Sequence, residues 1–254
     1  MLWRMFQTGL FAGFLTALVY SVVQAVTVTP LIFEAEIYEQ ASGGHTHGPT
    51  VHLHDDGQRH LHENAEAAPA AEPAEPWSPA EGFERYGFTF LANIVSAVGF
   101  SFLLVAAFAL RGKPVDMHAG LWWGLGGYAV FALAPSLGLP PEVPGAAAAP
   151  LVARQTWWFA TMAATALGLG LLVFAKPIWL RAVGLPILLL PHVIGAPHPL
   201  GVEPGPVPPE LASLFVVWSL VTVLFFWLLL GASAGEIYRR LGEAHARAQE
   251  RRAA

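Results

Sequence analysis

Six stretches dominated by apolar side chains, each 17 to 24 residues long, limit the fold more than any other feature of the sequence. They are Met5–Val28, Phe88–Leu110, Ala119–Leu139, Thr156–Ala175, Ile178–Ile194 and Leu211–Leu230. A helix of about twenty residues spans the ~30 Å hydrocarbon core of a bilayer, and in lipid it satisfies its own backbone hydrogen bonds. The fold class read from these runs is all-α, a polytopic transmembrane helical bundle. Composition agrees, since 12% of residues are charged where a soluble domain carries about a quarter. The first run exceeds the roughly 7–15 apolar residues of a secretory signal and is read as a retained anchor.

Basic residues orient the bundle. With six spans and the N-terminus inside, ten of the thirteen Lys and Arg residues fall on the cytoplasmic side, and only Arg59, Arg85 and Arg154 fall outside. Lys and Arg set topology, so the partition supports six spans with both termini cytoplasmic. Ile178–Ile194 is the shortest run and is interrupted by Pro186 and Pro191, which leaves a re-entrant path, and hence five spans, as the other reading. The chain then divides into a first span with an acidic exit (1–39), an outer loop (40–87), a bundle of five further spans (88–231) and a basic cytoplasmic tail (232–254). The loops 134–150 and 191–209 share a loose Pro/Gly pattern that hints at related hairpins. Within the first span Gly9, Gly13, Ala17, Ser21 and Ala25 form a stripe of small residues, and Gly120 and Gly124 do the same in the third; both suit close helix packing.

The outer loop has the most unusual composition. His45, His47, His52, His54, His60 and His62 form three His-X-His pairs within eighteen residues, beside Asp55, Asp56 and Glu63. An extended chain puts alternate imidazoles on one side, and a divalent ion can supply the energy that orders it. Imidazole suits cobalt, nickel, copper and zinc, so the segment collects metal without choosing it. The other reading is a solvated tether. Residues 65–79 alternate Ala, Glu and Pro, a spacer composition.

Further polar groups lie near the expected membrane surface. Glu34, Glu36 and Glu39 follow Pro30; in a helix Glu36 and Glu39 are neighbours while Glu34 points elsewhere, and they read either as first-stop cation ligands or as a solvated cap. His192 and His198 flank Gly195 on backbone broken by Pro191 and Pro197, combining two imidazoles with carbonyls freed from helical bonding; a metal pathway and a rigid exit turn both fit. Arg154 is expected to pair with Glu142, Glu203 or the Glu34 group, or to anchor the span beside Trp157 and Trp158. Gln24 and Asn93 are expected to join helices inside the bundle. His118 reads as a lone interfacial residue.

Several function classes drop out. The absence of cysteine removes disulfides, thiolate metal sites and Cys nucleophiles. A net charge of −5 with scattered basic residues offers no nucleic-acid face. Phosphate-loop, zinc-protease and Gly-X-Ser-X-Gly motifs are missing, so neither ATP-driven transport by this chain nor a recognisable enzyme is expected.

Four motifs in order, the run from Gln24 through Pro30 to Glu39, the turn from Pro135 through Gly145, Arg154-Gln-Thr-Trp157-Trp158, and Leu-Pro191-His192-Val-Ile-Gly195-Ala-Pro197-His198-Pro199, resemble the CbtA family of probable cobalt transporter subunits across nearly the whole chain. The resemblance implies a bacterial inner-membrane protein linked to cobalamin synthesis and paired with a small single-span CbtB subunit bearing histidines near one terminus. It implies Co2+ as substrate; Ni2+ or Zn2+ are expected competitors for imidazole ligands, and no tightly bound cofactor is expected. The family is usually described with five spans. Self-association is left open, and a metal-binding accessory or sensor without transport of its own is the alternative function.

Overall fold

In the computed structural model, which describes residues 2–43, 77, 79–80, 82–199 and 205–253, the apolar runs are helices and no described residue lies in a strand. In chain order these are α1 (Leu2–Thr27), α2 (Thr29–Gly43), α3 (Phe83–Arg111), α4 (Met117–Tyr128), a π-helical turn Ala129–Leu133 that leads into α5 (Ala134–Ser136), α6 (Leu151–Phe174), α7 (Ile178–Ile194) and α8 (Pro209–Ala253). Four of them, α1, α3, α6 and α8, are long and apolar enough to cross a membrane. Of the six expected spans, these four meet the criterion alone. The other two correspond to the 17-residue α7 and to the interrupted run Met117–Ser136, which at 1.5 Å per residue covers roughly 30 Å.

Local chemistry sets the helix boundaries. Pro30 has no N–H, and α1 gives way to α2 at Val28, whose carbonyl accepts from Leu31 and Ile32 instead. Gly112 ends α3 at φ 64°, a left-handed conformation that glycine adopts without a Cβ penalty. The Asp116 carboxylate caps α4 by accepting the Ala119 N–H at 2.8 Å. The π turn precedes Pro135, which cannot bond the carbonyl of Phe131 and would collide with it in an unbroken α-helix; widening the turn lets the Ala134 N–H bond Ala129. α8 has 45 residues, roughly 67 Å, so the basic tail continues the helix of the last apolar run.

Small residues bring the helices together. α1 lies against α3 and α8, α4 against α8, and α6 against α7. A Cβ on Gly13 would stand 2.5 Å from the Val98 backbone in α3, and one on Gly124 would stand 2.2 Å from the Trp227 carbonyl in α8. The expected stripes therefore do pack helices, and each meets a partner. For Gly120 and Gly124 that partner is Gly231 with Gly235 on α8, a spacing the sequence reading did not single out. Gly168 of α6 meets Gly184 of α7 in the same way.

The distribution of polarity is inverted relative to a soluble bundle. Thr8, Thr16, Ser101, Thr161, Thr165 and Thr222 are buried, while Phe11, Phe14, Leu15 and Leu18 of α1 are exposed. Lipid offers no hydrophobic gain for burying apolar side chains, so small and hydroxylic residues take the helix contacts. At the centre, Phe100, Phe131, Phe226 and Trp227 form an aromatic cluster in which Phe131 stacks on Trp227 at 5.5 Å. A second cluster joins Val28, Leu31 and Ala35 to Val143, Leu211 and Phe215, and so fastens α2 to the start of α8.

Candidate metal route

The broken end of α7 is the most constructed of the regions singled out in the sequence. Pro186 and Pro191 both lie inside α7, and the helix ends at Gly195 with φ 89°. The Pro191 carbonyl accepts two donors, the Gly195 N–H at 3.0 Å and the Trp157 Nε1–H at 3.3 Å. Trp157 is buried on the inner face of α6 and presents its ring edge-to-face to His192, with centroids 5.9 Å apart. The Nε2 atom of His192 is buried and has no hydrogen-bond partner. His198 lies beyond the helix end and is exposed, after the partly buried Ala196 and Pro197.

Below Trp157 the inner face of α6 continues through Thr161, Thr165 and Gly168, all buried. The hydroxyls of Thr161 and Thr165 likewise have no hydrogen-bond partner. Gly168 meets Gly184 and Leu188, and Leu188 stands one turn before His192 on α7. Three orphaned polar atoms therefore occur along the α6–α7 hairpin, beginning at its broken end. The two threonines were not among the sequence candidates. Their signal was there: Trp157, Thr161, Thr165 and Gly168 recur at helical spacing, which marks one face.

The acidic group after α1 is divided. Glu36 is half-buried and forms an ion pair with Arg85 of α3, with the Arg85 Nη1 donating at 2.9 Å and the guanidinium lying over the Phe33 ring at 4.7 Å. Offered by the sequence as a first-stop metal ligand, Glu36 is committed here to Arg85, a partner that the sequence reading did not name. Glu34 is exposed, and Glu39 is exposed beside Gly145 in the loop before α6. Arg154 donates to Glu142 at 2.7 Å, one of the three pairings expected for it.

Gln24 and Asn93 meet as expected of residues that join helices. Asn93 Nδ2 donates to Gln24 Oε1 at 2.7 Å and to Ser21 Oγ at 3.0 Å, which links α1 to α3. Thr27 and Thr222 lie 3.2 Å apart between α1 and α8. His118 is exposed at the start of α4. His45, His47, His52, His54, His60 and His62 lie outside the described residues. Among the described residues no three His, Asp or Glu side chains gather closely enough to hold a metal ion.

No curated protein and no solved structure matches the chain. The CbtA family matches residues 3–239, nearly the whole length. Its description as a probable cobalt transporter subunit points to Co2+ as the substrate of the family, and the word subunit implies a partner in a transporter complex. With several helices able to cross a membrane, a multi-pass membrane protein follows. The chain belongs to the CbtA family of probable cobalt transporter subunits.

Proposed function

We propose that the chain is the membrane-embedded subunit of a Co2+ uptake system in the bacterial inner membrane, serving cobalamin synthesis, with six crossings and both termini in the cytoplasm. The skew of Lys and Arg supports that topology. In this reading the histidines between 45 and 62 gather the ion on the outer side and raise its local concentration. Glu34 and Glu39, exposed on α2, offer carboxylates on the way inward, while Glu36 serves as an anchor for Arg85. The ion is then taken by His192 and His198 with water or backbone oxygen completing the shell, and passes along the Thr161 and Thr165 face of α6. Ni2+ and Zn2+ compete because imidazole accepts them as readily. A small single-span subunit of the CbtB kind completes the transporter.

One observation carries the reading. The Nε2 of His192 is buried without a partner at the end of a helix interrupted by two prolines. Leaving such an atom unsatisfied costs about 1–3 kcal/mol, and a dication bound at that nitrogen removes the cost. Uptake of radiolabelled Co2+ by cells carrying the chain, compared with His192→Ala/His198→Ala, is the direct test. The double variant is expected to lose most uptake, and equal uptake would remove both residues from the route. Deleting residues 43–63 should raise the half-saturating Co2+ concentration and leave the maximal rate intact. Reconstituted vesicles that bind Co2+ but pass none, with the single-span partner present, would identify an accessory or sensor instead.

A further inference from the structure

We infer that the cleft between α3, α4 and α6 is a binding site for one anionic phospholipid. The cleft has a volume of about 750 Å3, enough for an acyl chain with the rest of the lipid outside it, and reaches inward to Trp227 of α8, which is 2% exposed. Its walls are apolar along most of their length. On two of them, Gly126 and Gly170 face open space where a Cβ would stand, so the width is built in by glycine. An acyl chain fits such a slot because it needs no polar partner there.

Charge at one end selects the head group. Arg111, the last residue of α3, and Lys113 just beyond it line the cleft, and among the described residues no carboxylate pairs with either. Asp116, the nearby acid, accepts the Ala119 N–H as the cap of α4. The Arg111 guanidinium lies 4.9 Å over the Phe174 ring, and Phe174 stacks on Trp123 at 5.6 Å, so an aromatic shelf holds the cation at the cleft's mouth. Basic pockets between transmembrane helices on the cytoplasmic side suit anionic head groups, and these two cations fall on that side in the six-span topology. A zwitterionic lipid brings its own ammonium and gains less from Arg111 and Lys113. A transmembrane helix from a partner would fill the apolar slot, but gives no use to the two cations.

Native mass spectrometry of the full chain in detergent, with phosphatidylglycerol or phosphatidylcholine of matched acyl chains, tests this. One phosphatidylglycerol is expected to stay bound, with phosphatidylcholine retained about tenfold less, the scale set by two cationic contacts. Arg111→Gln/Lys113→Gln should bring the two lipids level. Gly170→Phe, which fills the slot and leaves the charges, should abolish retention of both while circular dichroism shows the same helix content. Equal retention of the two lipids by the unaltered chain, or undiminished phosphatidylglycerol on both variants, overturns the inference. So does a photo-crosslinker at position 126 that captures polypeptide and no phospholipid in native membranes.

Discussion

The Nε1–H of Trp157 donates to the carbonyl oxygen of Pro191 across 3.3 Å, which fastens the second turn of one apolar helix to the point where its neighbour breaks. The same carbonyl also accepts from Gly195, so the exit of α7 is held from both sides. His192 follows Pro191 directly, and its ring orientation against Trp157 depends on this tie. Trp157→Phe keeps an aromatic ring there and deletes the N–H. It is expected to destabilise the hairpin by about 1 kcal/mol, the net value of one hydrogen bond. Thermal unfolding followed by near-ultraviolet dichroism in detergent should show the lower midpoint. Co2+ uptake should fall with it but stay above that of His192→Ala, and a fall to the same level would mean that Trp157 does more than position the ring.

Glu36 and Arg85 make a second tie, between α2 and α3, with side chains 22% and 27% exposed. Partial burial places its contribution between the small value of a surface pair and the several kcal/mol lost when one member of a buried pair is removed. Glu36→Gln should therefore cost about 1–2 kcal/mol, the loss of this half-buried ion pair. Arg85→Met in the same chain removes the other half of the pair and should recover part of it. If Glu36 is an anchor, the half-saturating Co2+ concentration of the double variant stays within about twofold of the unaltered chain, since neither charge is then needed by the ion. A rise that persists in the stabilised double variant would return Glu36 to the metal route.

The helices were legible because lipid enforces them: an apolar run of about twenty residues must satisfy its backbone internally, and length alone then marks the element. Ile178–Ile194 has the same limits in sequence and structure for this reason, Pro177 and Gly195 closing it at either end. The π turn at Ala129–Leu133 was less legible. Pro135 could be read as a loop residue, whereas the helix runs on through it by widening one turn earlier. At the site, His192 was visible as a ligand type on broken backbone, and Gln24 with Asn93 as polar groups in apolar runs. Thr161 and Thr165 were not, because threonine in a membrane helix ordinarily bonds its own backbone, as Thr8 does with the Arg4 carbonyl at 2.8 Å. Only the three-dimensional arrangement shows that these two hydroxyls do not. The partner of Glu36 was hidden for a different reason, since Arg85 is 49 residues away across the outer loop.

Helix packing around Gly124 leaves no room for a side chain. A Cβ there would stand 2.2 Å from the Trp227 carbonyl, and the opposing atom is backbone that cannot rotate away. Gly124→Val must separate α4 from α8 or shift one along the other, and overpacking of this kind costs about 1–3 kcal/mol or more. Gly126→Val, two residues along the same helix, faces open space and should cost little. The contrast between the two, read as detergent-solubilised yield and unfolding midpoint, checks the close contact without reference to transport. Equal loss at both positions would mean that helix propensity, and not the approach to α8, decides the outcome.

Thr161 and Thr165 allow stability and transport to be separated. Each has a buried hydroxyl without a hydrogen-bond partner, and replacing threonine by valine exchanges that hydroxyl for a methyl of nearly the same shape. Removing an unsatisfied buried polar group is neutral or stabilising, so Thr161→Val/Thr165→Val should hold or raise the unfolding midpoint. If the hydroxyls line the path of a hydrated dication, the same change puts two methyls where the ion needs oxygen, and the maximal rate of Co2+ uptake should fall at least about tenfold, equivalent to roughly 1.4 kcal/mol on the barrier. Thr161→Ser/Thr165→Ser keeps both oxygens and should retain most of the rate. A valine variant that is stable and transports normally would move the route off this face of α6, whereas one that is stable and silent, beside an active serine variant, ties conduction to the oxygens themselves.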